Sequence, residues 1–337
     1  MNKPPTDGIR IAADDLRSFV ASIFRKVPIP SEHAELISEL LVDTDLRGVV
    51  SHGVKQVFRY VRALQEGQYN RLPQVRVLRD NPVTASLSGD GGLGMIVGKR
   101  AMQMAIDKAR RFGVGIATST YSGHVGSVGK YARMAMRQDM IGISFGGRNA
   151  APSYDPNRTI RGSIQGSPPM AFCIPSGPDQ PYFLLDMATN LPYDEACFVQ
   201  MQDIFFKRIG LSHVANILSG TLGGQMLPSF DRRHTPYPRA DQSGFYMAIN
   251  IGHFVPLDAF KDDMNHLMAQ TRAMKPFPGH EQSWLPGGPN WQWEQDYARD
   301  GVPIGADDVQ ALENLAYELG VEVPWNGSSG TKAAEKN

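Results

Sequence analysis

Between residues 83 and 187, short strand-like runs alternate with helical stretches and glycine-rich turns, which restricts the chain to α/β packing. The runs are 83–88, 114–118, 141–145, 170–174 and 182–187. A helix is predicted over 98–111 with Gly113 closing it, and a second one ends near Gln138. The first eighty residues read as helices instead. Leu16, Phe19, Val20, Ile23 and Phe24 share one face, and Pro28 stops that helix. Ser31 is the expected N-cap of a second helix, which carries Ala34, Ile37, Leu40 and Leu41 and ends near Gly48. Val57, Tyr60, Val61 and Leu64 stripe a third that ends at Gly67. Toward the C-terminus the pattern predicts a helix near 210–218, a strand at 245–251 and a helix over 257–274. A Pro/Gly/Trp-rich stretch over 276–293 precedes a last helix at 307–319, which Gly320 closes. The polar tail 326–337 is expected to be disordered.

Thirty-four Lys and Arg balance thirty-four Asp and Glu in 337 residues. Such neutrality argues against a nucleic-acid binder, which needs an excess of basic charge. No apolar run is long enough to span a membrane, and no apolar stretch follows the N-terminus as in a signal peptide. Two cysteines support neither a disulfide framework nor a cysteine zinc site, so a reducing cytoplasmic compartment is expected. The eight histidines show no metal spacing, and no metal is expected.

Three features carry possible chemistry. Gly89-x-Gly91-x-x-Gly94 matches the dinucleotide fingerprint, but Asp107 falls inside the following helix rather than at the end of the next strand. A plain glycine-rich turn is the stronger reading. His52 and His124 lie in small-residue loops, Ser51-His52-Gly53 and Gly123-His124-Val125-Gly126. Small neighbours leave room for a ligand, and imidazole titrates near neutrality, so either can act as acid or base. Taken alone, a surface or structural histidine is the stronger reading of each.

The run Arg47-Gly48-Val49-Val50-Ser51-His52-Gly53-Val54 resembles the R-G-x-D-S-H-G-V signature of the malate/L-lactate dehydrogenase-like (type 2) oxidoreductases. Further landmarks follow in order: Asp90-Gly91-x-x-Gly94, Gly113-Val114-Gly115, the His124 loop, Asp186-Met187-Ala188-Thr189, Lys207-x-x-Gly210-Leu211, Leu285-Pro286-Gly287 and Asp300-Gly301-Val302-Pro303. The resemblance covers residues ~12–322 and implies a non-Rossmann mixed sheet that binds NAD or NADP, with helices from both termini packed together. It divides the chain into an N-terminal helical segment, 1–78, packed with a C-terminal helix at 305–322, and a cofactor-binding region, 79–304. It implies hydride transfer to or from a small 2-oxo or 2-hydroxy acid or a cyclic imine, and a homodimer. His52 and His124 match catalytic positions. His124, Arg148, Asp186, Met187, Ala188, Lys207, Gly287 and Gly288 are the implied cofactor contacts. Ser51, Gln56 and Arg59 are the implied substrate contacts.

The departures concern charge and length. Gln56 stands where the family pattern S-H-G-V-x-R has arginine, so a bidentate clamp for a substrate carboxylate is missing. Val50 replaces the signature aspartate, Gly123 the asparagine before the second histidine, and Arg208 the glycine after the lysine. Gly166-Ser167-Pro168-Pro169 stands for G-T-N-P. Between Thr189 and Lys207 the family has roughly thirty more residues than the seventeen here, 190–206. These changes leave three readings open: an oxidoreductase with an unusual substrate, a cofactor-independent lyase or isomerase using His52 and His124, and a non-catalytic subunit.

Overall fold

The structure is a computed structural model that describes residues 4–148, 156–157, 160–163, 168–189, 195–224, 227 and 236–325. The 326–337 tail, Gly166, Ser167 and residues 190–194 lie outside the described residues. In chain order the elements are β1 (Ile9–Ile11), α1 (Ala13–Arg25), α2 (Ser31–Leu46), α3 (Val57–Gln65), β2 (Arg76–Asp80), β3 (Thr84–Ser88), α4 (Gly94–Phe112), β4 (Val114–Ser122), α5 (Gly129–Met136), β5 (Met140–Arg148), β6 (Pro169–Ile174), β7 (Phe183–Ala188), α6 (Glu195–Gln200), α7 (Gln202–Asn216), β8 (Gln242–Asn250), α8 (Leu257–Arg272), α9 (Gly288–Asp300), β9 (Val302–Ile304) and α10 (Ala306–Leu319). They form two compact units, Met1–Leu72 with Gly288–Asn337, and Pro73–Gly287.

The first unit is helical. Leu16, Phe19, Val20, Ile23 and Phe24 are all buried on α1, as their spacing predicts. α1 packs on α2, and α10 packs on α1 and α3. β1 and β9 close the unit as an antiparallel pair, with Ile9 opposite Ile304. Ser31 does not cap α2. Pro30 holds the extended cap position, and the Ser31 hydroxyl instead accepts from Arg25 Nε at 3.2 Å. Within the Pro/Gly/Trp-rich 276–293 stretch α9 begins at Gly288 and takes in Trp291 and Trp293. Pro289 sits in its first turn, where a missing N–H costs nothing. Gly48, at φ +71°, faces the Trp293 ring where a side chain would otherwise stand.

The second unit is built on a sheet whose described strands run β2-β3-β4-β8-β5-β6-β7. Only β3 and β4 pair in parallel, with α4 as their crossover; every other pairing is antiparallel. This is a mixed sheet, not the parallel, doubly wound sheet of a Rossmann domain. α4 starts four residues before the predicted position because the glycines that weaken its first turn are required by packing. A side chain at Gly94 would strike the Gly123 carbonyl, and one at Gly98 would meet Tyr131 and Tyr246 at 2.8 Å. β2 went unread because all five of its residues are exposed, so it has no alternation to detect. α7 spans Gln202–Asn216 rather than 210–218, followed by a π-turn at Ile217–Thr221. Its sequence lacks a helical stripe, and Gly210 sits in its exposed middle.

Candidate active site

In the first unit the signature forms two short 3-10 turns, Val50–His52 and Val54–Gln56, between α2 and α3. Ser51 Oγ and His52 Nδ1 are 2.8 Å apart, which fixes the imidazole orientation. Gln56 Nε2 donates to the Ser51 carbonyl at 2.8 Å, and Arg59 Nη1 donates to Gln56 Oε1 at 3.4 Å. Gln56 therefore braces the turn that carries His52, and Arg59 is the exposed cation beside it. Lys55 is drawn aside to Asp308, 3.6 Å away.

Beneath the turn lies Asp45, 3% exposed, which the sequence reading missed. Its Oδ2 accepts the Val54 N–H at 2.6 Å. Burial pushes its carboxyl up to about 8; the Val54 N–H opposes that shift, Asp308 adds to it and Arg47 opposes it. A signal was present: the buried stripe Ala34, Ile37, Leu41 continues by four to Asp45. Arg47 is wholly buried, with Nε donating to the Asp43 carbonyl at 3.2 Å. Its carbonyl accepts from Asn290 Nδ2 at 2.7 Å, which ties the signature to the start of α9.

In the second unit His124 lies half-buried between β4 and α5, in a loop pinned on four sides. Gly123 N donates to the Gly92 carbonyl at 2.7 Å, and Val125 N donates to Gln242 Oε1 at 3.3 Å. Tyr131 Oη donates to the Val125 carbonyl at 2.7 Å. Asp186 Oδ2 accepts from Ser127 Oγ at 2.7 Å and from Gly129 N at 3.2 Å. The Gly89–Gly94 turn thus supports the His124 loop. Asp186 ties β7 to the N-terminus of α5, where a negative charge is favoured. Asp186→Ala would leave two buried donors without an acceptor, so a loss of about 1–3 kcal/mol in unfolding free energy is expected from denaturant titration. An unchanged midpoint would remove the clamp.

The remaining cofactor candidates are also in this unit, except Gly288, which opens α9 in the other. Met187 and Ala188 end β7, and the Ala188 carbonyl accepts from Arg208 Nη2 at 3.3 Å. Lys207 is exposed on α7. Arg148 ends β5, where its Nε is 3.8 Å from Asp241. Gly287 has φ +98°, and a side chain there would strike Leu184 N, whose N–H donates to the Pro286 carbonyl at 2.9 Å. Gln242 and Arg208 had no local sequence signal for these contacts. Among the described residues no group of His, Cys, Asp or Glu is placed to hold a metal ion, and no helix is long and apolar enough to cross a membrane.

Comparison with known proteins gives the same frame. The malate/L-lactate dehydrogenase family profile matches residues 11–191 and 204–313. Its break falls inside the 190–206 interval where the chain is short. Malate dehydrogenase of Pyrococcus horikoshii is 33% identical, over 93% of this chain and 96% of its own length. L-Sulfolactate dehydrogenase of Methanocaldococcus jannaschii is 28% identical, over 91% and 96%. The solved structure of the P. horikoshii malate dehydrogenase covers 96% of this chain and 99% of its own, with a TM-score of 0.79 at 31% identity. The landmark motifs, the mixed sheet and these full-length matches agree, and the chain belongs to the malate/L-lactate dehydrogenase family.

Proposed function

We propose that the protein is an NAD(P)-dependent dehydrogenase or reductase that interconverts a small 2-hydroxy acid and its 2-oxo acid, or reduces a related imine. The supporting observation is the family match across residues 11–313 with both motif histidines retained. Relatives are named for malate, sulfolactate and ureidoglycolate, the last as an NAD(+) enzyme in Escherichia coli.

The second unit's donor set fits a dinucleotide. Lys207 and Arg148 are exposed cations suited to phosphate. Thr120 Oγ1 and Arg208 Nε are buried polar atoms with no partner among the described residues. The bound cofactor supplies or accepts the hydride. His124, Asp186, Met187, Ala188 and Gly287 would hold the cofactor within this unit. His52 gives a proton to the substrate heteroatom, or takes one in oxidation, through Nε2 while Ser51 holds Nδ1. Arg59 provides the positive charge for a substrate carboxylate that Gln56 lacks. The protein acts as a homodimer, supported by the exposed apolar row Ile204, Leu211, Val214 and Ile217 on and after α7.

Calorimetry with NADH and NADPH tests this reading. Binding of one nucleotide with a Kd on the order of micromolar is expected, with a rise in Tm. Sedimentation of the same sample should give twice the chain mass. Absorbance assays with oxaloacetate, other 2-oxo acids and cyclic imines then identify the substrate. Absence of binding by either nucleotide at millimolar concentration would overturn the redox reading and leave non-redox chemistry at His52 and His124.

A further inference from the structure

We propose that Asp45 is the positioning residue of the His52 turn, seating Gly53 and Val54 and through them Ser51, His52 and Gln56. The proposal rests on the reading that His52 is the proton donor, and its test separates the two. Asp45 takes the Val54 N–H at 2.6 Å, and a side chain on Gly53 would overlap the same carboxyl. The two residues that follow His52 therefore sit on one buried acid. The bonds inside the turn, Ser51 with His52 and Gln56 with Ser51, transmit that placement to the ring.

The charged groups that reach Asp45 are Arg47, at the end of its own helix, and Asp308 of α10. Lys55, on the turn itself, pairs with Asp308 at 3.6 Å. Because burial holds the carboxyl at about 8, the seat is uncharged at neutral pH. Above that pH the acid ionises beside Asp308 and inside the apolar face of α2. When the turn opens, the acid regains its ordinary carboxylate pKa and releases its proton, so opening becomes easier as pH rises toward 8.

Hydrogen exchange of residues 50–57 between pH 6 and 9.5, corrected for intrinsic base catalysis, tests this without reference to turnover. In the wild type, protection should fall at least tenfold between pH 6 and 8 and level off above that. In Asp45→Asn, which keeps an acceptor and does not titrate, that step should vanish. Asp45→Ala should exchange fast at every pH, and the Asn variant should restore most of the protection. Stability gives a second readout of known sign. The folded chain keeps a proton that the unfolded chain releases above 3.8, so wild-type stability relative to Asp45→Asn should fall from about pH 4 to about pH 8. A fall in protection between pH 6 and 8 that persists in Asp45→Asn overturns the proposal. If His52→Ala proves fully active while the exchange step behaves as expected, the role given to His52 fails and the seat stands.

Discussion

His52→Ala should lower kcat at least a hundredfold while leaving the Tm within a few degrees of wild type. The imidazole is half-buried at the end of a 3-10 turn, and its Nδ1 is 2.8 Å from Ser51 Oγ. A ring held through one nitrogen keeps the other aimed in one direction, as a general acid requires. Proton transfer by a positioned side chain is worth ~10²–10⁴ in rate. Alanine removes the donor and leaves the turn's other braces, Gln56 on Ser51 and Asp45 on Val54, in place. The loss should therefore appear in kcat rather than in nucleotide affinity, because the residues assigned to the cofactor belong mainly to the other unit. Single-turnover kinetics with NADH separates the two quantities. Near-normal turnover in the variant would end the assignment of His52. A loss of nucleotide binding with kcat preserved would move the histidine into the cofactor site.

How much of this was legible in the sequence depended on whether the physics was local. α1 was readable because five apolar residues repeat at helical spacing and every one is buried. Gly113 and Gly320 were readable as helix ends, and both adopt left-handed geometry. β1 and β9 were not, since three residues carry no period and their order comes from pairing across the chain. α9 was hidden by Pro289 and by glycines whose role is fixed by neighbours distant in sequence. In the site, the two histidine loops announced themselves through small residues. Their anchors did not: Gln242 reaches Val125 from 117 positions away, and Asp186 reaches Ser127 from 59. Asp45 lies between these cases. Its place on the buried stripe of α2 was legible, but its partner Val54 belongs to a turn that periodicity does not describe. The Gly89–Gly94 turn shows the converse. Its spacing matched a fingerprint, while its geometry serves packing against Gly123.

That packing leads to the largest expected loss of stability. Gly142→Ala should destabilise the second unit by ~3 kcal/mol, the upper end of the usual cost of overpacking. Gly142 lies on β5 between Cys173 of β6 and Ala248 of β8. A Cβ there would overlap the Ala132 carbonyl oxygen of α5 and stand 2.7 Å from the carbonyl carbon. The obstacle is backbone in a helix, so no rotamer change relieves it. Either α5 lifts from the sheet or β5 bends, and close-packed interiors resist both. α5 also carries Tyr131, whose hydroxyl holds the His124 loop through Val125. Activity at a temperature well below the transition should therefore fall along with stability. For a unit of this size the Tm should drop by roughly 6–12 °C. Gly210→Ala provides the control of opposite sign. Gly210 lies inside α7, has nothing within 4 Å of a would-be Cβ and is not in left-handed geometry. Alanine there should raise stability by roughly 0.5–1 kcal/mol through helix propensity alone. Thermal denaturation of the two variants side by side decides the matter. If both shift the Tm equally, the glycine at 142 is not what allows α5 to approach the sheet, and the support given to the His124 loop must come from elsewhere in the unit.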